Sequence, residues 1–226
     1  MPCVDNGIMA TRMNVAIIHY HLHPGGVTRV IDDHLRALNE AVALLNATTP
    51  VDVALLFSAG RTKSSVNLNG LKHLSVKAID VPELAYDSGE RPHSSLEGIQ
   101  RALRQCGFDR SDTVLHFHNH SLGKNWSIPG AIRVLAEQGY GLLLQVHDFA
   151  EDFRPTNYSH LLSGLTAQKV AGPQWVYPQA PRIHYALLNC RDQKALCDAG
   201  ADASRLHLLP NCATQFGPLP DPAEAR

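Results

Sequence analysis

The chain has 226 residues and a formal net charge of -1, and 44% of its residues are hydrophobic while 18% are charged. This length allows one large domain with a sizeable core, and the near-neutral charge lacks the basic excess that nucleic-acid binding requires. No segment reaches the roughly 18 continuous apolar residues of a membrane span, and the five cysteines form no Cys-x-x-Cys pair. We therefore expect a cytoplasmic protein without a transmembrane segment, a nucleic-acid partner or a disulfide framework.

The first regular element is predicted to begin at residue 13, and we expect residues 1–12 to form a disordered tail. The run MNVAIIHY is almost continuously apolar, which is typical of a strand buried on both faces. A glycine pair follows, and apolar residues then recur at steps of three and four, which predicts a helix that covers this strand. The helical stripe consists of Val27, Val30, Ile31, Leu35 and Leu38.

Strands and helices are then predicted in alternation along the chain. Further strands are expected over residues 51–57, 74–81, 112–118, 141–147, 184–190 and 206–210. Helices are expected over residues 95–107, near 128–138 and over 191–200. This alternation predicts an α/β fold, namely a Rossmann-like, doubly wound and mainly parallel sheet of about seven strands with helices on both faces.

Two stretches interrupt this alternation. Residues 58–73 are polar enough for a mobile loop or insertion, and residues 170–184 are too rich in proline for a regular helix. Residues 217–226 are expected to be a linker or tail. The predicted domain therefore extends over residues 13–216.

Histidines follow several of the predicted strands. The chain has 13 histidines, and the alternating patterns HYHLH and HFHNH follow the first and the fourth strand. In a doubly wound sheet these two strands are neighbours, and ligands bind in the crevice between their carboxyl ends. The fifth strand ends at His147, followed by Asp148. We therefore expect His116, His118 and His120 to line this crevice together with His147.

A zinc site is one alternative for such a pattern. His-x-His on a strand directs both imidazoles to the same side and can supply two zinc ligands, and nearby carboxylates such as Asp148, Glu151 and Asp152 could assist hydrolysis. However, HYHLH leads directly into Pro24, Gly25 and Gly26, where the turn needs backbone freedom. We expect no metal site, and a zinc-dependent hydrolase stays open as a less favoured alternative.

The glycine pair indicates an anion site. Gly25 and Gly26 precede the first helix, where unpaired backbone N–H groups and the helix dipole attract a phosphate or carboxylate. No Gly-x-Gly-x-x-Gly occurs, and the second strand ends in Phe57 and Ser58 rather than in an acidic residue. The phosphate-binding loop of ATPases is also missing from the sequence. We therefore expect neither a dinucleotide cofactor nor ATPase activity.

Four segments together resemble the N-terminal, acceptor-side domain of GT-B glycosyltransferases of the retaining family 4 type. They are, in chain order, NVAIIHYHLHPGGVTRVIDDHLRAL, DTVLHFHNH, GLLLQVHD and YALLNCRDQKALCDAGADASRLHLLPNCAT. The second is similar to the family's strand that ends in His-x-His, and the third to its following strand that ends in a histidine. The last is similar to the signature that precedes the interdomain linker. The resemblance extends over nearly the whole predicted domain.

The resemblance implies a hexosyltransferase that transfers sugar with retention from a nucleotide-sugar, which is a co-substrate, so that no other cofactor is expected. It implies that Gly25 and Gly26 lie near the donor diphosphate and that His118 and His147 contact the transferred sugar. His116, His120 and Asp148 are expected to bind substrate beside them. The acceptor is expected to be a sugar or a glycolipid-type molecule, bordered by loops that carry the aromatic residues Phe149, Phe153 and Tyr158.

The sequence also departs from the family's pattern. The family's second domain carries a Glu-x7-Glu motif that binds the nucleotide-sugar, and this C-terminal domain is expected to be absent here. The closing signature differs too, since Asn211 is followed by Cys212. We therefore expect the isolated chain to be inactive or weakly active until a C-terminal domain completes it in cis or in trans. The alternative to an enzyme that stays open is a non-catalytic, Rossmann-like binding module.

Overall fold

A computed structural model describes residues 13–44, 51–59, 65–87, 94–167 and 173–212 of the chain. The strands in these ranges are β1 (Asn14–Ile18), β2 (Val51–Phe57), β3 (Leu74–Asp80), β4 (Thr113–His118), β5 (Gly141–Val146), β6 (Ile183–Leu187) and β7 (Leu206–Leu208). The helices are α1 (Gly26–Leu44), α2 (Ser95–Cys106), α3 (Ser127–Glu137), α4 (Pro155–Ala167), α5 (Pro173–Val176) and α6 (Cys190–Asp198). Single 3-10 turns cover Pro82–Leu84 and Ala203–Arg205.

The strands form one parallel sheet in the order β3-β2-β1-β4-β5-β6-β7. This order confirms the predicted Rossmann-like, doubly wound α/β fold. The chain leaves β1 toward β2 on one side and later returns to pair β4 with the other side of β1. The carboxyl ends of β1 and β4 therefore border the switch point, where open parallel sheets bind their ligands.

The central strand β1 is buried on both faces because its side chains alternate between two apolar clusters. Val15 and Ile17 pack on one face with Ile31 and Leu35 of α1. The alternate residues Ala16 and Ile18 face the other side of the sheet and pack with α2 and α3. Since all five residues of β1 are buried, the continuous apolar run of the sequence reflects contact on both sides.

Hydrogen bonds define the ends of the shorter helices. The Ser94 side chain accepts from the backbone N–H of Glu97 at the start of α2, and Gly107 ends this helix with a φ of 69°. The Asn189 side chain accepts from the N–H of Asp192 at the start of α6. The helices predicted over residues 95–107 and 191–200 are thus present, with bounds that differ by one or two residues.

Helix α4 is not predicted from the sequence, and its first residues, up to Tyr158, fall in a segment that is expected to be a loop. Leu161 and Leu165 of α4 pack on Ala150 and Val176 and form a small cluster apart from the main core. The segment lacks a strong apolar stripe, so its helical state depends on these tertiary contacts. Residues 170–184 are expected to contain no regular helix, and their described part, 173–184, includes the short helix α5.

Several sequence-based expectations lie outside the described residues. They include the tail at residues 1–12, the linker at 217–226 and part of the loop at 58–73. Among the residues that are described, no helix is long and apolar enough to cross a membrane.

Candidate functional site

The carboxyl ends of β1, β4 and β5 bring four histidines together at the switch point. His118 lies at the end of β4, and its Nδ1 is 2.9 Å from Nε2 of His147, which follows β5. Nδ1 of His19, which follows β1, donates to the carbonyl oxygen of His118 at 3.3 Å. The rings of His116 and His118 lie 4.3 Å apart between centroids because alternate residues of a strand face the same side. The structure therefore brings His116, His118 and His147 together.

A fifth histidine joins this cluster from helix α1. The ring of His34 lies 5.6 Å from that of His116 and 5.8 Å from that of His118. His34 is not among the residues predicted from the sequence, although a signal for it exists. It lies three residues after Ile31, on the apolar stripe of the helix that covers β1, and a histidine in such a position faces the sheet.

Burial keeps the imidazoles of this cluster neutral. It lowers the pKa of His116 to about 3 and the pKa of His147 to about 4. The pKa of His118 lies well below its ordinary value because burial and the neighbouring His116 both oppose a charge on this ring. Burial also lowers the pKa of His34. At neutral pH each ring therefore carries one N–H donor and one nitrogen lone pair.

Hydrogen bonds determine which nitrogen carries the proton. Nε2 of His116 lies 2.9 Å from Oε1 of Gln145, and because this oxygen can only accept, the proton of His116 is on Nε2. The lone pair of His116 is thus on Nδ1. Nε2 of His118 is buried and has no hydrogen-bond partner among the described residues. An unpaired lone pair in such a place costs less than an unpaired N–H, so we place the proton of His118 on Nδ1, donating to His147.

Asn119 holds the ends of β4 and β5 in place. Its backbone is left-handed, with a φ of 57°, and its Oδ1 accepts from the N–H groups of His147 at 2.8 Å and Asp148 at 3.1 Å. Its carbonyl oxygen accepts from the hydroxyl of Tyr20 at 2.8 Å. The sequence analysis does not single out Asn119, although asparagine is one of the few residues that adopt this conformation readily.

Two of the predicted binding residues lie beside the cluster rather than in it. His120 is buried, and its Nε2 donates to the carbonyl oxygen of Val176 at 3.1 Å, so it packs against the segment of α5. Asp148 is partly exposed and forms an ion pair of 2.9 Å with Arg154. His120 thus faces the protein interior, whereas Asp148 borders the open crevice.

The predicted glycine turn lies at the start of α1. Gly25 and Gly26 are exposed, and a Cβ on Gly26 would meet no atom within 4 Å. The N–H of Arg29 donates to the carbonyl oxygen of Gly25, which is the first bond of the helix. The N–H groups from Gly26 to Thr28 therefore have no acceptor within the helix and point toward its amino end. This arrangement can bind an anion.

A cavity of about 430 Å³ lies between the segment that follows β5 and helix α6. This volume falls in the range of small-molecule sites. Its lining includes Phe149, Glu151, Tyr177 and Arg191. Of the aromatic residues expected to border an acceptor, Phe149 lines this cavity, whereas Phe153 is 96% exposed and Tyr158 38% exposed.

Fold and site together define a Rossmann-like α/β domain with an imidazole cluster and an open helix amino end at its switch point. No protein-family model matches the chain. The chain is 28% identical over 209 residues to mannosylglucosyl-3-phosphoglycerate synthase from Petrotoga mobilis, a match that covers 90% of this chain and 37% of that protein. The chain thus spans little more than a third of the length of this relative.

A solved structure is also similar to the chain. It is a sucrose-phosphate synthase from Thermosynechococcus elongatus, with 16% sequence identity and a TM-score of 0.47. The match covers 90% of this chain and 91% of that chain.

Proposed function

We propose that the chain is the acceptor-side domain of a glycosyltransferase of the hexosyltransferase type, which transfers a sugar from a nucleotide-sugar with retention. The observation that carries this proposal is the pairing of partly exposed His147 with buried His118 at the switch point. The similarity to a protein named mannosylglucosyl-3-phosphoglycerate synthase supports it, as does the resemblance of four segments to GT-B enzymes.

His147 has the properties of a residue that contacts the transferred sugar. Its Nε2 accepts from His118, so its own proton is on Nδ1 and can be donated to a sugar hydroxyl. Its low pKa keeps the ring neutral, and Asn119 fixes its backbone. His118 is 2% exposed and acts through His147, which makes it a positioning residue in this proposal.

The open amino end of α1 is suited to the diphosphate of the donor. The diphosphate of the bound donor is already anionic and gains further negative charge as its bond to the sugar breaks, and fixed N–H groups stabilise the charge in both states. The N–H groups that follow Gly25 supply such donors without a side-chain cation. We place the acceptor in the cavity lined by Phe149, Tyr177 and Arg191, where an aromatic face lies beside a guanidinium that is ion-paired with Asp152 and Asp192.

The nucleotide-binding part of the enzyme is assigned to a second domain. Because the chain spans 37% of the length of its Petrotoga relative, we propose that a C-terminal domain, in cis or in trans, supplies the nucleoside site. The name of that relative suggests glucosyl-3-phosphoglycerate as the first acceptor to assay. Other sugar and glycolipid-type acceptors form the rest of the panel.

The test measures sugar transfer from a panel of nucleotide-sugars by the chain completed with its C-terminal domain. Product is detected by mass spectrometry, and its anomeric configuration is determined by NMR. We expect a product with retained configuration and a kcat that falls at least about 100-fold in His147→Ala. His73→Ala alters an exposed histidine outside the site and serves as the matched control.

Two outcomes would contradict the proposal. Equal turnover in His147→Ala and the wild type would remove the assigned role of His147. Absence of transfer with every donor would favour a non-catalytic binding module.

A further inference from the structure

One ring nitrogen of each of His34, His116 and His118 lies within 4.8 Å of the corresponding nitrogen of the other two. We propose that these three histidines bind a divalent transition-metal ion, for which zinc is the best match. No metal site is expected from the histidines that follow strands, but the third ligand proposed here comes from helix α1. The inference goes beyond sugar transfer and depends on none of its steps.

The hydrogen bonds of the cluster leave two lone pairs for a metal. Nε2 of His116 donates to Gln145, so Nδ1 is available as a ligand. Nδ1 of His118 is bonded to His147, and Nε2 of His118 is buried without a partner among the described residues. Buried polar atoms in native proteins are nearly always paired. A metal ion would provide the missing partner of His118 Nε2.

The ligand set selects the class of metal. Three neutral imidazoles suit zinc and its neighbours among the transition metals, whereas magnesium and calcium require oxygen ligands. In a tetrahedral zinc site with bonds of 2.0–2.1 Å, ligand nitrogens are separated by about 3.3 Å. The three nitrogens lie within 4.8 Å of one another, so the rings must rotate toward a common point for all three to reach the metal. The His34 side chain is partly exposed and is the one expected to rotate most.

The outer nitrogens of His116 and His118 both have a fixed acceptor. Metal-binding histidines almost always donate their other N–H to a fixed acceptor, which orients the ring. Nε2 of His116 donates to Oε1 of Gln145 at 2.9 Å. Nδ1 of His118 donates to Nε2 of His147, also at 2.9 Å. The metal ion would thus increase the polarity of the His118 N–H that holds His147.

The surroundings favour a structural metal over a hydrolytic one. The carboxylates near the crevice have other partners, since Asp148 pairs with Arg154 and Glu151 accepts from Tyr177. The three ligands come from α1 and β4, and the metal would connect this helix to the central part of the sheet. Binding to the folded state alone raises thermal stability.

The test uses the full 226-residue chain, purified without a histidine tag and freed of metal with a chelator. Zn²⁺ is titrated by isothermal calorimetry, and Co²⁺ is titrated with detection of its visible absorption. We expect one tight equivalent of zinc, absorption bands typical of tetrahedral cobalt, and a melting temperature that rises with zinc. In His34→Ala the affinity for zinc should fall at least about tenfold, because one of three ligands is lost.

Two control variants separate this site from other histidines. His73→Ala removes an exposed histidine, and His184→Ala breaks a close pair elsewhere in the sheet, in which Nδ1 of His184 lies 2.9 Å from Nε2 of His207. Both should retain the tight equivalent. The proposal is overturned if the wild type binds no zinc, if His34→Ala binds as tightly as the wild type, or if His184→Ala removes the binding. Because His34 is partly exposed, we expect its variant to fold, which circular dichroism verifies.

Discussion

Oδ1 of Asn119 accepts the backbone N–H of His147 at 2.8 Å and thereby connects the ends of two neighbouring strands. The left-handed backbone of Asn119 turns the chain directly after β4, and the same side-chain oxygen also accepts from the N–H of Asp148. The orientation of His147 therefore depends on a residue that contacts no ligand in our proposal.

Two variants of Asn119 distinguish the contribution of its side-chain hydrogen bonds to stability from that of its left-handed backbone. Glycine adopts the left-handed conformation, so Asn119→Gly loses only the side-chain bonds, and we expect a loss of about 1–2 kcal/mol in the free energy of unfolding. Asn119→Ala should lose about a further 1–2 kcal/mol because its Cβ opposes this conformation. Urea unfolding measures both changes. Asn69→Ala, at an exposed position, is the control, and equal stability of all three variants would exclude the role assigned to Asn119.

Asn125 is expected to be one of the most sensitive polar positions. It is fully buried, and its Nδ2 donates to the carbonyl oxygens of Glu83 at 3.0 Å and Ala85 at 2.8 Å. Its Oδ1 accepts from the N–H and the hydroxyl of Ser127. Asn125→Ala removes these four bonds, and although Ser95 still pairs with the Glu83 carbonyl and the Ser127 hydroxyl, the Ala85 carbonyl and the Ser127 N–H lose these partners, so the change should cost about 2–4 kcal/mol, measured by urea unfolding.

Asn125→Asp provides a stricter comparison at this position. Its carboxylate still accepts from Ser127 but faces two carbonyl oxygens without a donor, so we expect destabilisation at neutral pH as well. Wild-type stability of either variant would show that the surrounding segments do not depend on this amide.

Gly164 is expected to resist substitution although it lies inside helix α4. A Cβ at this position would approach Cγ of Trp126 to 2.5 Å. Alanine normally stabilises a helix by about 1 kcal/mol relative to glycine, but here the clash should reverse the sign and cost about 1–3 kcal/mol. Thermal unfolding measures the difference. Gly26→Ala, where the added Cβ meets nothing within 4 Å, should leave the melting temperature near that of the wild type.

Gly26 also offers a test of the anion site. Proline is tolerated at the first position of a helix but lacks the N–H group, so Gly26→Pro should keep the fold and remove one donor. We expect the KM of the completed enzyme for its nucleotide-sugar to rise about tenfold, which corresponds to one charge-assisted hydrogen bond. Gly26→Ala retains the N–H and should keep the wild-type KM. The anion-site assignment would fail if both variants had the same KM.

The fold could be predicted from the sequence because its central strands β1, β2 and β4 are buried on both faces. A continuous apolar run such as Asn14–Ile18 has few alternatives to a central parallel strand, and the glycine turn after it indicates the start of a helix. Helix α4 could not be predicted in this way. Its packing depends on contacts such as Gly164 against Trp126, which local sequence does not reveal.

The candidate site could be predicted only in part. The parallel register places His118 and His147 at one end of the sheet once the strand order is known, so their proximity follows from topology. The contributions of His34 and Asn119 depend on how a helix rotates over the sheet and on a single backbone angle.

Helix α1 carries both the exposed amide groups at Gly26 and the imidazole of His34. Eight residues separate them, which corresponds to about 12 Å along a rigid axis. The same rigid helix therefore contributes a side chain to the histidine cluster and backbone N–H groups to the anion site. Rotation of the His34 side chain leaves those amides in place, whereas a shift of the α1 backbone toward β4 would move them as well, and in that case occupancy of one end is expected to alter affinity at the other.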